Sequence, residues 1–81
     1  VEGLDHRWYE LDDRNFLVGQ TIVESNLRKL TGATIIAIER KNRLRRYPLG
    51  STTFKAGDRL LVVGNPEEQD AFNQLFQGVK A

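Results

Sequence analysis

The densest group of chemically active side chains in this sequence is a run of five cations, Arg40, Lys41, Arg43, Arg45 and Arg46. Guanidinium groups bind phosphate well, so such a run is able to bind a phosphorylated ligand, nucleic acid or an acidic lipid surface. A solvated hairpin whose charges discourage edge-to-edge strand pairing has the same composition. Because the formal net charge is only +1, no global field supports nucleic-acid binding, and these residues alone favour the solvated hairpin.

The other reactive residues do not assemble into a catalytic or metal-binding group. His6 is the only histidine, and Asp5 beside it does not complete a ligand set. Ser25 and Ser51 have no base close to them in the sequence. The chain contains no cysteine, which excludes disulfides, thiolate nucleophiles and cysteine-ligated metals. We therefore predict that the chain is not an enzyme and holds no metal or catalytic cofactor.

The length of 81 residues suits one small domain, which would be only marginally stable on its own. Residues 1–6 show no periodicity and are predicted to be a linker or leader, residues 7–78 the domain, and residues 79–81 a tail. The chain opens on Val1 rather than on methionine, which indicates a fragment of a longer protein. No run approaches the roughly 18 apolar residues of a membrane span.

Apolar periodicity and turn signals predict the order strand, helix, two or three strands, helix. The predicted strands are Arg7–Leu11, Ala33–Glu39, Leu44–Tyr47 and Arg59–Gly64. Capping signals at Thr21 and at Asn65-Pro66 begin the two helices, and the pair Ser25-Asn26 is a weak spot in the first. Val23, Leu27 and Leu30 are predicted to form its apolar face. The fold class is therefore α+β, a small, mostly antiparallel sheet with two helices.

The central strand is apolar on both of its faces. Strict alternation places Ile36 and Ile38 on one face and Ile35 with Ala37 on the other. Two short helices suffice to cover one face, so we expect the second face to meet another copy of the chain. The alternative is one helix on each face and a self-sufficient domain.

Several short segments, taken together in this order and spacing, resemble the TrkA-C family, also called the RCK C-terminal domain (regulator of potassium conductance). They are Gly19-Gln20-Thr21, Leu27-Arg28, Thr31-Gly32, Ile35-Ile36-Ala37-Ile38, Arg40, Pro48, Thr52 and the run Ala56–Gly64. The resemblance extends from about Trp8 to Phe76. The family's usual pattern after the hairpin has Asn, a second Pro and Leu where this chain has Tyr47, Gly50 and Phe54.

The resemblance implies a cytosolic regulatory module of a prokaryotic potassium channel, uptake system or cation/proton antiporter. The sequence is most similar to the C-terminal domain of a cation/proton antiporter. Such a module is the cytoplasmic domain of an inner-membrane protein or membrane-associated complex, and its partner is a transporter or channel subunit, expected in the same polypeptide. Members are typically homodimers that bind a ligand between the subunits, in some cases the nucleotide cyclic di-AMP. Applied to this chain, the hypothetical ligand-binding residues are Ile35, Ile36, Ile38, Arg40, Arg43, Arg45, Tyr47 and Pro48.

In this hypothesis the isoleucines form an apolar floor for the bases, the arginines bind the phosphates and Tyr47 stacks on a base. A tyrosine beside a hairpin more often packs against a neighbouring strand. Two other functions stay open at this stage. The chain could be a ligand-free dimerisation module of the same assembly, or a small nucleic-acid-binding domain that uses the basic hairpin and Tyr47.

Overall fold

The computed structural model describes residues 3–78. The elements are β1 (Asp5–Glu10), α1 (Ile22–Ser25), α2 (Leu27–Thr31), β2 (Thr34–Arg40), β3 (Arg43–Arg46), β4 (Arg59–Gly64) and α3 (Pro66–Phe76). The four strands form one antiparallel sheet in the order β1-β4-β2-β3. The predicted α+β class and its antiparallel sheet are confirmed. The predicted tail and the first two residues of the predicted leader lie outside the described residues.

Strand β1 begins at Asp5, two residues before the predicted start. A fully buried side chain of α3 explains the extension, because the Gln69 amide donates to the Asp5 carbonyl at 3.0 Å and to the Val62 carbonyl at 2.9 Å. Gln69 also accepts a hydrogen bond from the Tyr9 hydroxyl. This helix therefore joins β1 to β4. The division of the chain into a linker and a domain stays a prediction.

The helical segment that follows Thr21 is divided into two short helices at Asn26. Asn26 adopts the left-handed conformation, with φ of 57°, which asparagine tolerates better than most residues. The break falls at the predicted weak spot. Because it interrupts the 3.6-residue period, Val23 and Leu30 are 69% and 61% exposed, and only Leu27 is buried. The predicted apolar face through all three residues is wrong.

A bulge in β2 reassigns the faces of that strand. The register with β4 shifts between Ile35 and Ala37, so Ile36 has no partner on β4. Ile35 and Ile38 therefore both lie on the buried face of the sheet, the face on which Val62 of β4 also lies. The prediction that Ile35 shares a face with Ala37 is wrong, because strict alternation holds only for a strand without a bulge.

A single core lies between the helices and one face of the sheet. Leu27 of α2 and Phe72 of α3 belong to the same cluster as Ile38, Leu60 and Val62 of the sheet. Since both helical segments contribute to one cluster, they cover the same face. The alternative with one helix on each face is therefore wrong.

The opposite face of the sheet has no helix over it within residues 3–78. Trp8 and Leu44 lie on this face and are 40% and 48% exposed. The Arg59 guanidinium lies 4.7 Å from the centroid of the Trp8 ring and donates to Glu39 at 2.7 Å. Charged side chains of the sheet itself thus cover part of this face. The expectation that a second copy covers it stays a prediction.

Candidate ligand-binding site

The basic run forms the predicted β-hairpin, with Asn42 in the loop between β2 and β3. Lys41 and Asn42 both have positive φ, 51° and 63°, as the tight turns preferred between antiparallel strands require. Arg40 lies opposite Arg43, and Ile38 lies opposite Arg45. Cross-strand partners share a face of the sheet, so all three of these arginines project from one side of the hairpin.

Arg40 is held in place by Asp58. Its Nε and Nη2 atoms donate to the two carboxylate oxygens, each at 2.7 Å, and Nη2 also donates to the Thr53 carbonyl at 2.9 Å. The Asp58 side chain is fully buried and accepts a further bond from the Lys55 amide. The hydrogen bond to Asp58 raises the pKa of Arg40 above its usual value. Arg40 therefore anchors the end of β2 to the loop before β4.

A notch of about 410 Å³ lies beside the hairpin and is lined by Arg40, Lys41, Arg43 and Arg45. We call it the hairpin notch. All three arginines of the predicted ligand site line this notch. Tyr47 is not among its lining residues, although 78% of the tyrosine surface is exposed.

The apolar residues of the predicted ligand site are not part of the lining of the hairpin notch, and their role in a site between two subunits stays a prediction. Ile38 is only 2% exposed, in the core, and Ile35 packs against that core. Ile36 is half-buried at the bulge, where its carbonyl accepts a hydrogen bond from the Tyr47 amide at 2.7 Å. Pro48 is also half-buried. None of these four residues lines the hairpin notch.

A second and larger cleft, of about 630 Å³, lies along α1 and α2, and the sequence did not predict it. We call it the helix cleft. Its lining combines apolar side chains with two cations, and no carboxylate from residues 3–78 lines it. Its lining residues are Ile22, Val23, Asn26, Leu27, Arg28, Lys29 and Gly50. The only available sequence signal was the segment Leu27-Arg28, which carries part of the family resemblance.

The loop that precedes β4 closes one side of the helix cleft. The Ile22 amide donates to the Thr52 carbonyl at 3.0 Å, and the Val23 amide donates to the Gly50 carbonyl at 2.9 Å. A Cβ atom on Gly50 would lie 3.3 Å from the Val23 Cβ, so this close approach favours glycine. Leu49 is 74% exposed next to this contact. Val23 and Leu49 together form an exposed apolar patch at the cleft.

Residues 3–78 contain no group of three or more His, Cys, Asp or Glu side chains placed to hold a metal ion. No helix in the same range has the length and apolar character needed to cross a bilayer.

Comparison with known proteins identifies one family. The model of the TrkA-C domain matches residues 7–77. Among solved structures, the RCK domain of GsuK is 33% identical, with a TM-score of 0.79 over 95% of this chain and 17% of that chain. This chain therefore spans less than a fifth of the GsuK chain.

Two further structures were solved with a nucleotide. The RCK C domain of the potassium transport protein KtrA, in complex with cyclic di-AMP, is 26% identical, with a TM-score of 0.72 over 91% of this chain and 84% of that chain. The RCK_C domain dimer of BusR from S. agalactiae, also in complex with cyclic di-AMP, is 23% identical, with a TM-score of 0.79 over 96% of this chain and 95% of that chain. At that identity, the BusR likeness shows the fold.

Proposed function

The chain belongs to the TrkA-C domain family, and from this we propose that it is the dimerising, ligand-sensing domain of a larger cytosolic regulator of cation transport. The transport system is a prokaryotic potassium channel or transporter, or a cation/proton antiporter, and the domain lies on the cytoplasmic side of the inner membrane. The similarity to the RCK C domain of a potassium transport protein supports this assignment. The proposed ligand is a cyclic dinucleotide such as cyclic di-AMP.

The helix cleft is the observation that carries this proposal. A cyclic dinucleotide has two flat bases and two phosphates, so its site needs apolar surface and about two cations. Ile22, Val23 and Leu27 supply the apolar surface, and Arg28 and Lys29 supply the charges. The volume of about 630 Å³ lies within the usual range of roughly 300–1,000 Å³ for ligand pockets. The geometry thus supports a binding site at α1 and α2 better than at the isoleucines of β2.

A second copy of the chain completes this site in our proposal. Val23 and Leu49 expose apolar surface beside an open cleft, and a partner packed on this patch would remove that surface from water. A ligand enclosed between two copies would favour the dimer geometry that binds it better. That bias would reach the transporter only if the two geometries differ in affinity for the ligand.

The ligand site is tested by calorimetry with cyclic di-AMP on the 81-residue chain. Hydrogen bonds to a charged group contribute about 1.5–3 kcal/mol, so Arg28→Gln is expected to weaken binding by roughly 10- to 100-fold. Arg45→Gln is the matched control, because it removes the same charge at the hairpin notch and should leave the affinity unchanged. The reverse result would place the nucleotide at the hairpin. The absence of heat at millimolar ligand would contradict a cyclic di-AMP sensor.

The interface is tested by sedimentation velocity on two exposed leucines. Leu49→Asp places a charge in the apolar patch and is expected to produce monomers. Leu44→Asp places the same charge on the open face of the sheet and is expected to leave the dimer intact. If only Leu44→Asp dissociates the dimer, the open face of the sheet is the interface, as expected from the sequence. A dimer that binds no nucleotide would identify a ligand-free dimerisation module.

A further inference from the structure

We propose that Arg40 is a positioning residue for the helix cleft and acts on it through the loop of residues 50–55, which we call the strap. Arg40 does not contact the nucleotide in this inference. It holds the strap in place, and the strap holds one wall of the cleft. The inference rests on the proposed function, because it concerns the same binding site, but its first test requires no ligand.

The strap is fixed on one side by Arg40 and Asp58. The Arg40 Nη2 atom donates to the Thr53 carbonyl at 2.9 Å, and the Lys55 amide donates to Asp58 Oδ2, also at 2.9 Å. Phe54, between these two bonded positions, has a fully buried side chain. Arg40 also bonds to both carboxylate oxygens of Asp58, whose side chain is fully buried. The strap is therefore attached to the end of β2 through this ion pair.

On its other side the strap is bonded to the beginning of α1. Thr21 and Thr53 form an isolated antiparallel bridge. The amides of Ile22 and Val23 donate to strap carbonyls at 3.0 Å and 2.9 Å. Ile22, Val23 and Gly50 all line the helix cleft. One wall of the cleft thus consists of the strap and of the α1 residues bonded to it.

The wall depends on these bonds because α1 is too short to hold its own position. Four residues form α1 and five form α2, whereas isolated helices shorter than about 12–15 residues are marginal in water. Contacts with other segments must therefore keep α1 in place, and the two hydrogen bonds to the strap are among them. A ligand that needs the wall in place has an apparent affinity that falls with the fraction of molecules in which the wall is formed. Loss of the bond from Arg40 to the strap should lower that fraction.

The first test is amide hydrogen exchange followed by NMR on the unliganded chain, with Arg40→Lys as the variant. Lysine keeps the positive charge beside Asp58 but lacks the planar fork that bonds to the carboxylate and to the Thr53 carbonyl together. The loss of a hydrogen bond to a charged group changes an opening equilibrium by roughly 10- to 100-fold. We expect the amides of Ile22 and Val23 to exchange faster by that factor. Unchanged exchange at both amides would overturn the proposal.

The matched control is Tyr9→Phe, which removes a buried hydrogen bond between β1 and α3, from the Tyr9 hydroxyl to Gln69. It tests whether the loss of any buried hydrogen bond loosens the wall. Because local openings are largely independent of one another, exchange at Ile22 and Val23 should change by less than about 3-fold in this variant. Equal acceleration in the two variants would indicate a general loss of stability and would contradict a specific role of Arg40. Thermal melting verifies that both variants fold.

The second test measures exchange in the wild-type chain with cyclic di-AMP in large excess over its Kd. At about 100 times Kd, a ligand that binds only when the wall is formed suppresses opening about 100-fold. The Lys55 amide bonds to Asp58 and not to α1. Slower exchange at Lys55 in parallel with Val23 would therefore support a strap that opens as one unit, whereas protection of Val23 alone would contradict it.

Calorimetry with cyclic di-AMP separates positioning from direct contact. If Arg40→Lys weakens binding and also accelerates exchange at Val23, the positioning role is supported. Weaker binding with unchanged exchange would show that Arg40 contacts the ligand, and the proposal would be wrong. If cyclic di-AMP does not bind, the nucleotide sensor fails, whereas faster exchange at Ile22 and Val23 in Arg40→Lys still supports the role of Arg40 in holding the cleft wall.

Discussion

The ion pair of Arg40 with Asp58 should contribute far more to folding than the ion pair of Arg59 with Glu39. In both pairs the closest nitrogen–oxygen distance is 2.7 Å. The pairs differ in burial, since the Asp58 side chain is fully buried whereas Glu39 is 31% exposed and Arg59 is 44% exposed. The chain thus contains two arginine–carboxylate pairs of the same length in different surroundings, and each serves as the control for the other.

The expected magnitudes follow from this difference. Removal of one partner from a buried pair costs about 3–5 kcal/mol, because an uncompensated charge stays in the interior. An exposed pair contributes about 0–1 kcal/mol. At about 0.05–0.15 kcal/mol per residue, an 81-residue domain has a free energy of unfolding of only about 4–12 kcal/mol. Arg40→Gln should therefore remove a quarter or more of the stability and lower Tm by at least about 12 °C.

The assay is urea unfolding followed by circular dichroism, with Arg40→Gln, Asp58→Asn and the double variant as one cycle. The same cycle on Arg59 and Glu39 is the control. We expect a coupling energy of about 1–3 kcal/mol in the first cycle and below about 0.5 kcal/mol in the second. A loss below about 1 kcal/mol for Arg40→Gln, or equal coupling in the two cycles, would refute the assignment of the buried pair as the anchor of β2.

Three further changes test local features of the fold. Gly32→Ala should cost about 1–3 kcal/mol in urea unfolding, because Gly32 has φ of 81° and a Cβ there would lie 2.5 Å from Glu68 Oε2. Tyr47→Asn should raise stability by about 1 kcal/mol, since Tyr47 is exposed and has φ of 51°, which asparagine adopts more easily; an unchanged Tm would contradict this. A hydrogen bond from the Thr21 amide lowers the pKa of the Glu24 carboxylate below its usual value of 4.5. The stability that this hydrogen bond adds is therefore present above about pH 4.5 and is lost as the pH falls through the folded-state pKa. In acid unfolding, the stability difference between wild type and Glu24→Gln should shrink over that range, and a constant difference would contradict this prediction.

The features that the sequence predicted are those set by neighbouring residues. The Asn65 cap followed by Pro66 begins α3 as predicted, with Asn65 and Glu68 exchanging hydrogen bonds. Thr21 and Glu24 cap α1 in the same way. Each of these signals depends on residues no more than three apart, so the local sequence is sufficient.

The features that the sequence did not predict depend on contacts between distant segments. The bulge at Ile36 exists only relative to β4, and it decides which isoleucines are buried. Arg40 and Asp58 are 18 residues apart in the sequence. They meet because the antiparallel register of β2 and β4 brings these two segments together. The helix cleft arises because Asn26 breaks the helix and the loop at Gly50 hydrogen-bonds to Val23. Periodicity within a single segment does not contain this information.

The placement of the carboxylates shows why a nearly neutral chain has two clefts that are lined by cations. The sequence has 12 lysines and arginines and 11 acidic residues. In the described part of the chain several of the acids are engaged in the fold, either in ion pairs or in helix caps: Asp5, Glu24, Glu39, Asp58 and Glu68. None of the carboxylates within residues 3–78 lines the helix cleft or the hairpin notch. The net charge of +1 therefore reports an average over the chain, whereas the local charge of each cleft depends on where the carboxylates lie.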